Sequence, residues 1–148
     1  MTKDVLISVS GLQLGNDADS DQIEVITRGN YYKKKNKHYV LYEEIMEGFD
    51  GVTKNIINFD DGVFNLTKSG VTNVHMVFEE NKRNITNYIT PYGNILIGID
   101  ASRVDIQESK EQIQINIDYA LDVNYEHLAD CKIHMNITPR NNEVFSLQ

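Results

Sequence analysis

Cysteine, alanine, positive charge and long apolar runs are all scarce in this chain, and each shortage removes a class of protein. The single cysteine, Cys131, has no partner for an internal disulfide, which excludes a stapled secreted scaffold and points to a reducing compartment. No stretch approaches the ~20 consecutive apolar residues of a membrane-spanning helix. The first ten residues, Met1-Thr-Lys-Asp-Val-Leu-Ile-Ser-Val-Ser10, interrupt their apolar side chains with polar ones, unlike the core of a signal peptide. The expectation is a soluble, cytoplasmic protein with no membrane partner, in which the sequons at Asn65, Asn84 and Asn136 carry no glycan.

Fourteen Lys and Arg stand against 22 Asp and Glu, for a net charge of −8. Such a surface repels a phosphate backbone unless one face is strongly basic, so nucleic acid is not an expected partner. The one dense basic run, Lys33-Lys34-Lys35-Asn36-Lys37, lies between two strand-like stretches and reads as a solvated hairpin tip. Four alanines against seventeen isoleucines disfavour helix, because β-branched side chains lose rotamer freedom there and pack well on pleated strands. The class is therefore all-β, and 148 residues suit one domain, 1–148, with a single core.

Period-two alternation recurs along the chain. Val5, Ile7 and Val9 share a face, and stretches 22–34 and 37–47 read as a long hairpin closing at Lys35-Asn36. Asp50-Gly51 and Asp61-Gly62 are type I′ turn signals that bracket a strand over 52–60. Stretches 63–69 and 71–80 follow, hinged at Gly70, and 82–90 ends at Pro91, which cannot donate to a ladder. Residues 94–102, where Gly98 offers a bend, precede a hairpin of 103–108 and 111–122. The latter arm carries Ile113, Ile115, Ile117, Tyr119 and Leu121 on one face. Residues 124–130 break the pattern as a helical turn, and Cys131, Ile133, Met135 and Ile137 face inward on the last strand before a frayed tail. The stretch from Met76 to Ile99 reads as three adjacent strands, turned at Asn81 and at Pro91-Tyr92-Gly93. About 8–10 sequential strands with short connections favour a closed antiparallel up-and-down barrel, because closure removes exposed edges.

The segments Tyr39-Val-Leu-Tyr-Glu-Glu44, Thr53-Lys-Asn55, Leu66-Thr-Lys-Ser-Gly70, Met76-Val-Phe-Glu79, Tyr88-Ile-Thr-Pro-Tyr-Gly93 and Leu121-Asp-Val-Asn-Tyr125, in that order, give a chain that resembles the YwiB-like family of small bacterial proteins over nearly its whole length. The resemblance implies a calycin-like, lipocalin-like barrel and brings no activity, cofactor or catalytic residue. Lys68 stands where the family suggests arginine, a change that would weaken bidentate anion binding.

Catalytic signatures are absent: there is no Gly-rich phosphate loop, nucleophile elbow or zinc-spaced cysteine pair. Cys131 reads as a buried inert thiol. The acidic stretch Gly15-Asn-Asp-Ala-Asp-Ser-Asp21 offers oxygens at alternate positions but lacks the glycine and bidentate glutamate of a calcium loop, and reads as a linker. His38, His75, His127 and His134 form no ligand pair by spacing, although His75 and His134 could meet through the fold, so no metal or other cofactor is expected. Taking Ile57 and Phe59 as inward carries Thr53 and Asn55 inward too. Tyr42, Glu44, Tyr88 and Thr90 are further lumen candidates, with the face of 37–47 left open by its alternation. Together Tyr42, Glu44, Asn55, Tyr88 and Thr90 would hold a small, partly apolar ligand in a non-enzymatic binding module, or form a satisfied hydrogen-bond network that fixes strand register. The alternatives are a protein-interaction adaptor using the acidic outer face and the lysine tip, and an enzyme pairing Glu43 or Glu44 with a histidine.

Overall fold

The computed structural model describes residues 3–11, 24–45 and 48–140. The acidic stretch 15–21, the start of the strand expected from Gln22, the end of the arm at 46–47 and the tail beyond 140 lie outside the described residues. Ten strands follow one another: β1 Lys3–Ser10, β2 Glu24–Lys34, β3 Lys37–Ile45, β4 Val52–Asp60, β5 Val63–Ser69, β6 Val74–Glu79, β7 Lys82–Thr90, β8 Gly93–Glu108, β9 Ile113–Val123 and β10 Glu126–Pro139. All pair antiparallel in the order β6-β5-β4-β3-β2-β1-β10-β9-β8-β7, a nearly closed barrel. The first and last strands meet along Val5–Ser10 and His134–Pro139, so the break in the barrel falls in mid-chain, between β6 and β7.

That seam corrects the reading of Met76 to Ile99 as three adjacent strands. β7 and β8 pair along nine residue pairs, but β6 and β7 form no ladder among the described residues; Asn73, just before β6, makes an isolated bridge with Ile89, with both backbone bonds at 2.9 Å. The Asn81 turn, at φ 62°, donates its N–H to Ala101 O on β8 instead. Glu80 Oε2 likewise accepts from Val104 N at 3.1 Å.

Further expectations change. Residues 124–130 are no helical turn. Asn124 and Tyr125, at φ 50° and 70°, form a two-residue hairpin turn of the kind that requires both central residues left-handed. β10 starts at once, with a register shift between His127 and Ala129. The stretches 94–102 and 103–108 are one sixteen-residue strand, kept continuous by a bulge between Ala101 and Arg103. Gly98 makes room for a neighbouring side chain. A side chain there would come within 2.8 Å of the Arg83 guanidinium, which bonds Asp100 at 2.6 Å and Asp122 at 2.7 Å. At both Asp50-Gly51 and Asp61-Gly62 only the glycine takes positive φ, so the type I′ expectation fails at each, while the hairpin at Lys35-Asn36 closes with both residues left-handed, at 52° and 68°.

The interior is filled with side chains. Ile7, Ile57, Phe59, Phe64, Leu66, Phe78, Ile113, Ile115 and Ile117 are fully buried, each worth ~1.5–3 kcal/mol of transfer free energy. Aromatic rings chain across the middle from Phe59 to Phe64, Phe78 and Tyr119, with centroids 5.1 to 6.1 Å apart. Polar side chains on the inward face are concentrated toward the ends.

Candidate functional site at the parting of two strands

Alternation along β3 turns His38, Val40 and Tyr42 inward as buried residues and carries the half-buried Glu44 with them; along β4 it buries Thr53, Asn55, Ile57 and Phe59. The registers set Tyr42 beside Asn55 and Asn55 beside Lys68 of β5, so three polar side chains stand abreast at one end of the barrel. Glu44 Oε1 accepts from Lys68 Nζ at 2.5 Å and from Asn55 Nδ2 at 3.1 Å. Lys68 is 11 % exposed and Glu44 41 %, so only the lysine half of this ion pair is withdrawn from water. The amide of Asn55, a residue 1 % exposed, spends its donor on Glu44 while its Oδ1 is buried with no partner. A buried acceptor of this kind costs its full desolvation, about 1–3 kcal/mol.

The Tyr42 phenol is pushed up by burial and further by the Glu44 carboxylate. Burial also raises Tyr88, whose hydroxyl is hydrogen-bonded to Thr72; that bond opposes the rise and the Glu44 charge adds to it. Asn55 is thus bonded to Glu44 and stands beside Tyr42, and the Glu44 charge acts on both the Tyr42 and the Tyr88 phenols. Thr90 is not among these residues: its Oγ1 donates to Gly93 O at 2.8 Å and accepts from Tyr92 N at 3.1 Å, holding the β7–β8 turn. Thr53, whose Oγ1 accepts from Val71 N at 3.2 Å, ties the β5–β6 connection over this end.

The wall opens beside this cluster. β2 and β3 pair only over Asn30–Lys34 and Lys37–Leu41. Beyond that, β2 continues along β1 and β3 along β4. At the point of parting a side chain on Gly29 would come within 2.7 Å of Leu41 O and 2.6 Å of Ile7 Cδ1, so only glycine lets the strands touch there. A cavity of about 550 Å³ lies against the divergence, lined among others by Gly29, Asn30, Leu41, Tyr42, Asn55 and Ile56. Its size is that of a small-molecule site, for which ~300–1,000 Å³ is usual.

The opposite end holds residues that sequence reasoning did not single out. His38 and Glu44 are six residues apart on β3, about 20 Å along a strand. His38, 6 % exposed, shares a 2.7 Å hydrogen bond from Nδ1 with the Tyr31 hydroxyl and places Nε2 3.6 Å from Glu108. Its ring stacks on Phe59 at 4.7 Å and 11°. Burial lowers its pKa, the Glu108 carboxylate opposes that and the Lys33 ammonium reinforces it; Tyr31 is raised, first by burial and then by Glu108. A cavity of about 380 Å³ borders His38, Lys33, Asp60, Asp61 and Glu108. The alternation of His38 with Val40 was the available signal.

The other histidines stay apart. His134 bonds Asn116 at 2.7 Å, His127 faces Asp122 and Asp130, and His75 is exposed on β6. Among the described residues no group of three metal-ligating side chains forms, and no hydrogen bond or ion pair joins Glu43 or Glu44 to a histidine. Cys131 is half-buried, hydrogen-bonded to Tyr119 and raised in pKa by burial, the condition of an unreactive thiol. No described helix is long and apolar enough to cross a membrane.

Residues 7–135 match the family described as "Domain of unknown function (DUF1934)", and the chain belongs to that family. It is 28% identical over 120 residues, 80% of this chain and 83% of the relative, to the protein named "Uncharacterized beta-barrel protein YwiB" from Bacillus subtilis (strain 168). The solved structure titled "Crystal structure of ywiB protein from Bacillus subtilis" superposes with a TM-score of 0.75 at 21% identity, over 93% of this chain and 92% of that one; this likeness shows a shared fold.

Proposed function

With the chain a member of the DUF1934 family, we propose that it is a non-enzymatic binding module, used in the cytoplasm, whose small, partly apolar ligand occupies the 550 Å³ cavity where β2 and β3 part. The observation that carries this reading is Asn55: it lines the cavity, is almost wholly buried, and keeps an acceptor without a partner. Buried acceptors in native proteins are nearly always satisfied by protein, water or ligand, and a ligand N–H or O–H would satisfy this one. Leu41 and Ile56 supply apolar surface beside it.

This differs from a lipocalin-like use of the barrel in its depth. The interior beyond Tyr42 and Asn55 is occupied by Val40, Ile57 and Leu66, so the ligand sits in the wall and at the mouth instead of the lumen. Glu44 and Lys68 neutralise one another there and orient the amide.

Native mass spectrometry of protein purified from cells, together with NMR titration using phenol as a neutral donor probe, tests the proposal. Expected is a bound species or saturable shifts at Tyr42 and Asn55, weakened at least tenfold by Asn55→Leu. Absence of any bound species and of any saturable shift overturns it, as does equal binding by the variant.

A further inference from the structure

Building on that cavity reading, we infer that its ligand carries an oxyanion, a phosphate or carboxylate group, gripped by Arg28 and Arg140 with Lys54 beside them. The chain has four arginines. Arg83 bonds two carboxylates of the outer wall, and Arg103 lies against Asp105 at 3.3 Å and Asp118 at 4.0 Å. Among the described residues Arg28 and Arg140 make no such pair, and both line the same cavity. Lys54, also on that cavity, has no ion pair among the described residues, although its neighbour across the ladder is Glu43.

In a chain whose acidic residues outnumber its basic ones 22 to 14, cations ordinarily find carboxylates. Here three of them converge on a space that Asp4 and Glu43 also line, and none of the three lies within ion-pair distance of either carboxylate. The cavity keeps a positive excess on a protein of net charge −8.

The fold brings the two arginines together from opposite ends of the chain. Arg28 precedes Gly29 at the parting of β2 from β3. Arg140 is anchored by its own backbone, which donates to Asp4 O at 3.0 Å, an extension of the β1–β10 ladder. A guanidinium offers two parallel N–H groups that match the two oxygens of a carboxylate or phosphate, and two such forks suit a doubly charged group. Asn30 and Ser69, also lining the space, can serve ligand hydroxyls, and Leu41 and Ile56 its apolar body.

The full chain, labelled for NMR, is titrated with inorganic phosphate, with benzoate and with phenol, in wild-type form, as Arg28→Gln/Arg140→Gln, and as Lys34→Gln/Lys132→Gln. The last variant removes the same charge from the outer wall elsewhere. Saturable binding of an anion, weakened tenfold or more by the arginine variant and unchanged in the lysine variant, is the expected result. Binding of phosphate alone identifies a phosphate ester as the class, and binding of benzoate alone an organic carboxylate; either supports the inference. Equal binding by the two variants overturns it. Saturation by phenol with none by either anion overturns it too, while leaving the cavity reading intact; no saturation by any probe overturns the inference, and together with the absence of a co-purifying species it removes the cavity reading as well.

Discussion

At one end of the barrel His38 is held by Tyr31, stacked on Phe59 and approached by Glu108; at the other, Asn55 reaches Glu44 through one amide atom and leaves the second without a partner. Both residues are almost fully buried on inward faces of neighbouring strands. The difference lies in the wall around them. β2 and β3 stay paired from Asn30 to Lys34 beside the imidazole and separate beside the amide, so one polar group is enclosed by paired strands and the other borders a gap. A satisfied buried group contributes to fold stability, whereas an unsatisfied one beside a cavity is available to a ligand.

The comparison can be broken most forcefully at Phe59. Phe59→Ala removes the ring under His38 and a neighbour of Phe64 and is expected to cost about 3–5 kcal/mol in urea unfolding; a loss below about 1 kcal/mol would show that the imidazole end is loosely packed. Next in size is Glu44→Leu, which strands the Lys68 ammonium and the Asn55 donor. Breaking a fully buried ion pair costs ~3–5 kcal/mol, and with Glu44 41 % exposed the expected loss falls to about 2 kcal/mol.

His38 supplies a pH test of the same contrast. Its folded pKa lies below the ordinary 6.5, so the unfolded chain binds the extra proton first and stability falls as the pH drops below 6.5. The slope is at most ~1.4 kcal/mol per pH unit. Urea midpoints between pH 6.5 and 5.5 should lose this slope in His38→Gln, and an unchanged slope would assign it elsewhere. Tyr31→Phe, which takes away the partner of Nδ1, should cost about 1–2 kcal/mol.

The smallest effect is expected where the polar group is already unsatisfied. Asn55→Leu removes an orphan acceptor along with one modest hydrogen bond and should change stability by less than about 1 kcal/mol. If it costs as much as Tyr31→Phe, the two ends are equivalent and the contrast fails.

Much of this architecture was legible in the residues, for a physical reason: on a strand half of whose side chains face the core, alternation is imposed by the pleat. Asn55 and Thr53 followed from Ile57 and Phe59 in that way. Tyr42 and Glu44 did not, because both faces of β3 carry apolar bulk and carboxylates, and only the packing of Val40 between His38 and Tyr42 decides between them. Thr90 shares the less exposed face of β7 with Tyr88, but the alternation cannot show that its hydroxyl is taken by its own turn. The seam and the placing of Arg28 and Arg140 on one cavity are long-range consequences of which strands pair, and no local pattern encodes them. Residues 124–130 misled for a different reason: Asn124-Tyr125 supplies the left-handed pair that Asn-Gly usually does, with a tyrosine in the glycine's place.

The position of the seam also bears on how the barrel assembles. β1 to β6 form one meander and β7 to β10 another, in which each strand pairs with its neighbour in sequence. The ladder that joins them, with Ile7 opposite Ile137, closes nearly the whole chain on itself. Because loop-closure entropy grows only with the logarithm of length, that step costs about 2 kcal/mol more than closing a ten-residue loop. The mid-chain break therefore costs the fold little in chain entropy: the tight turn at Glu80-Asn81 tethers the two meanders, and the ladder of the terminal strands joins them.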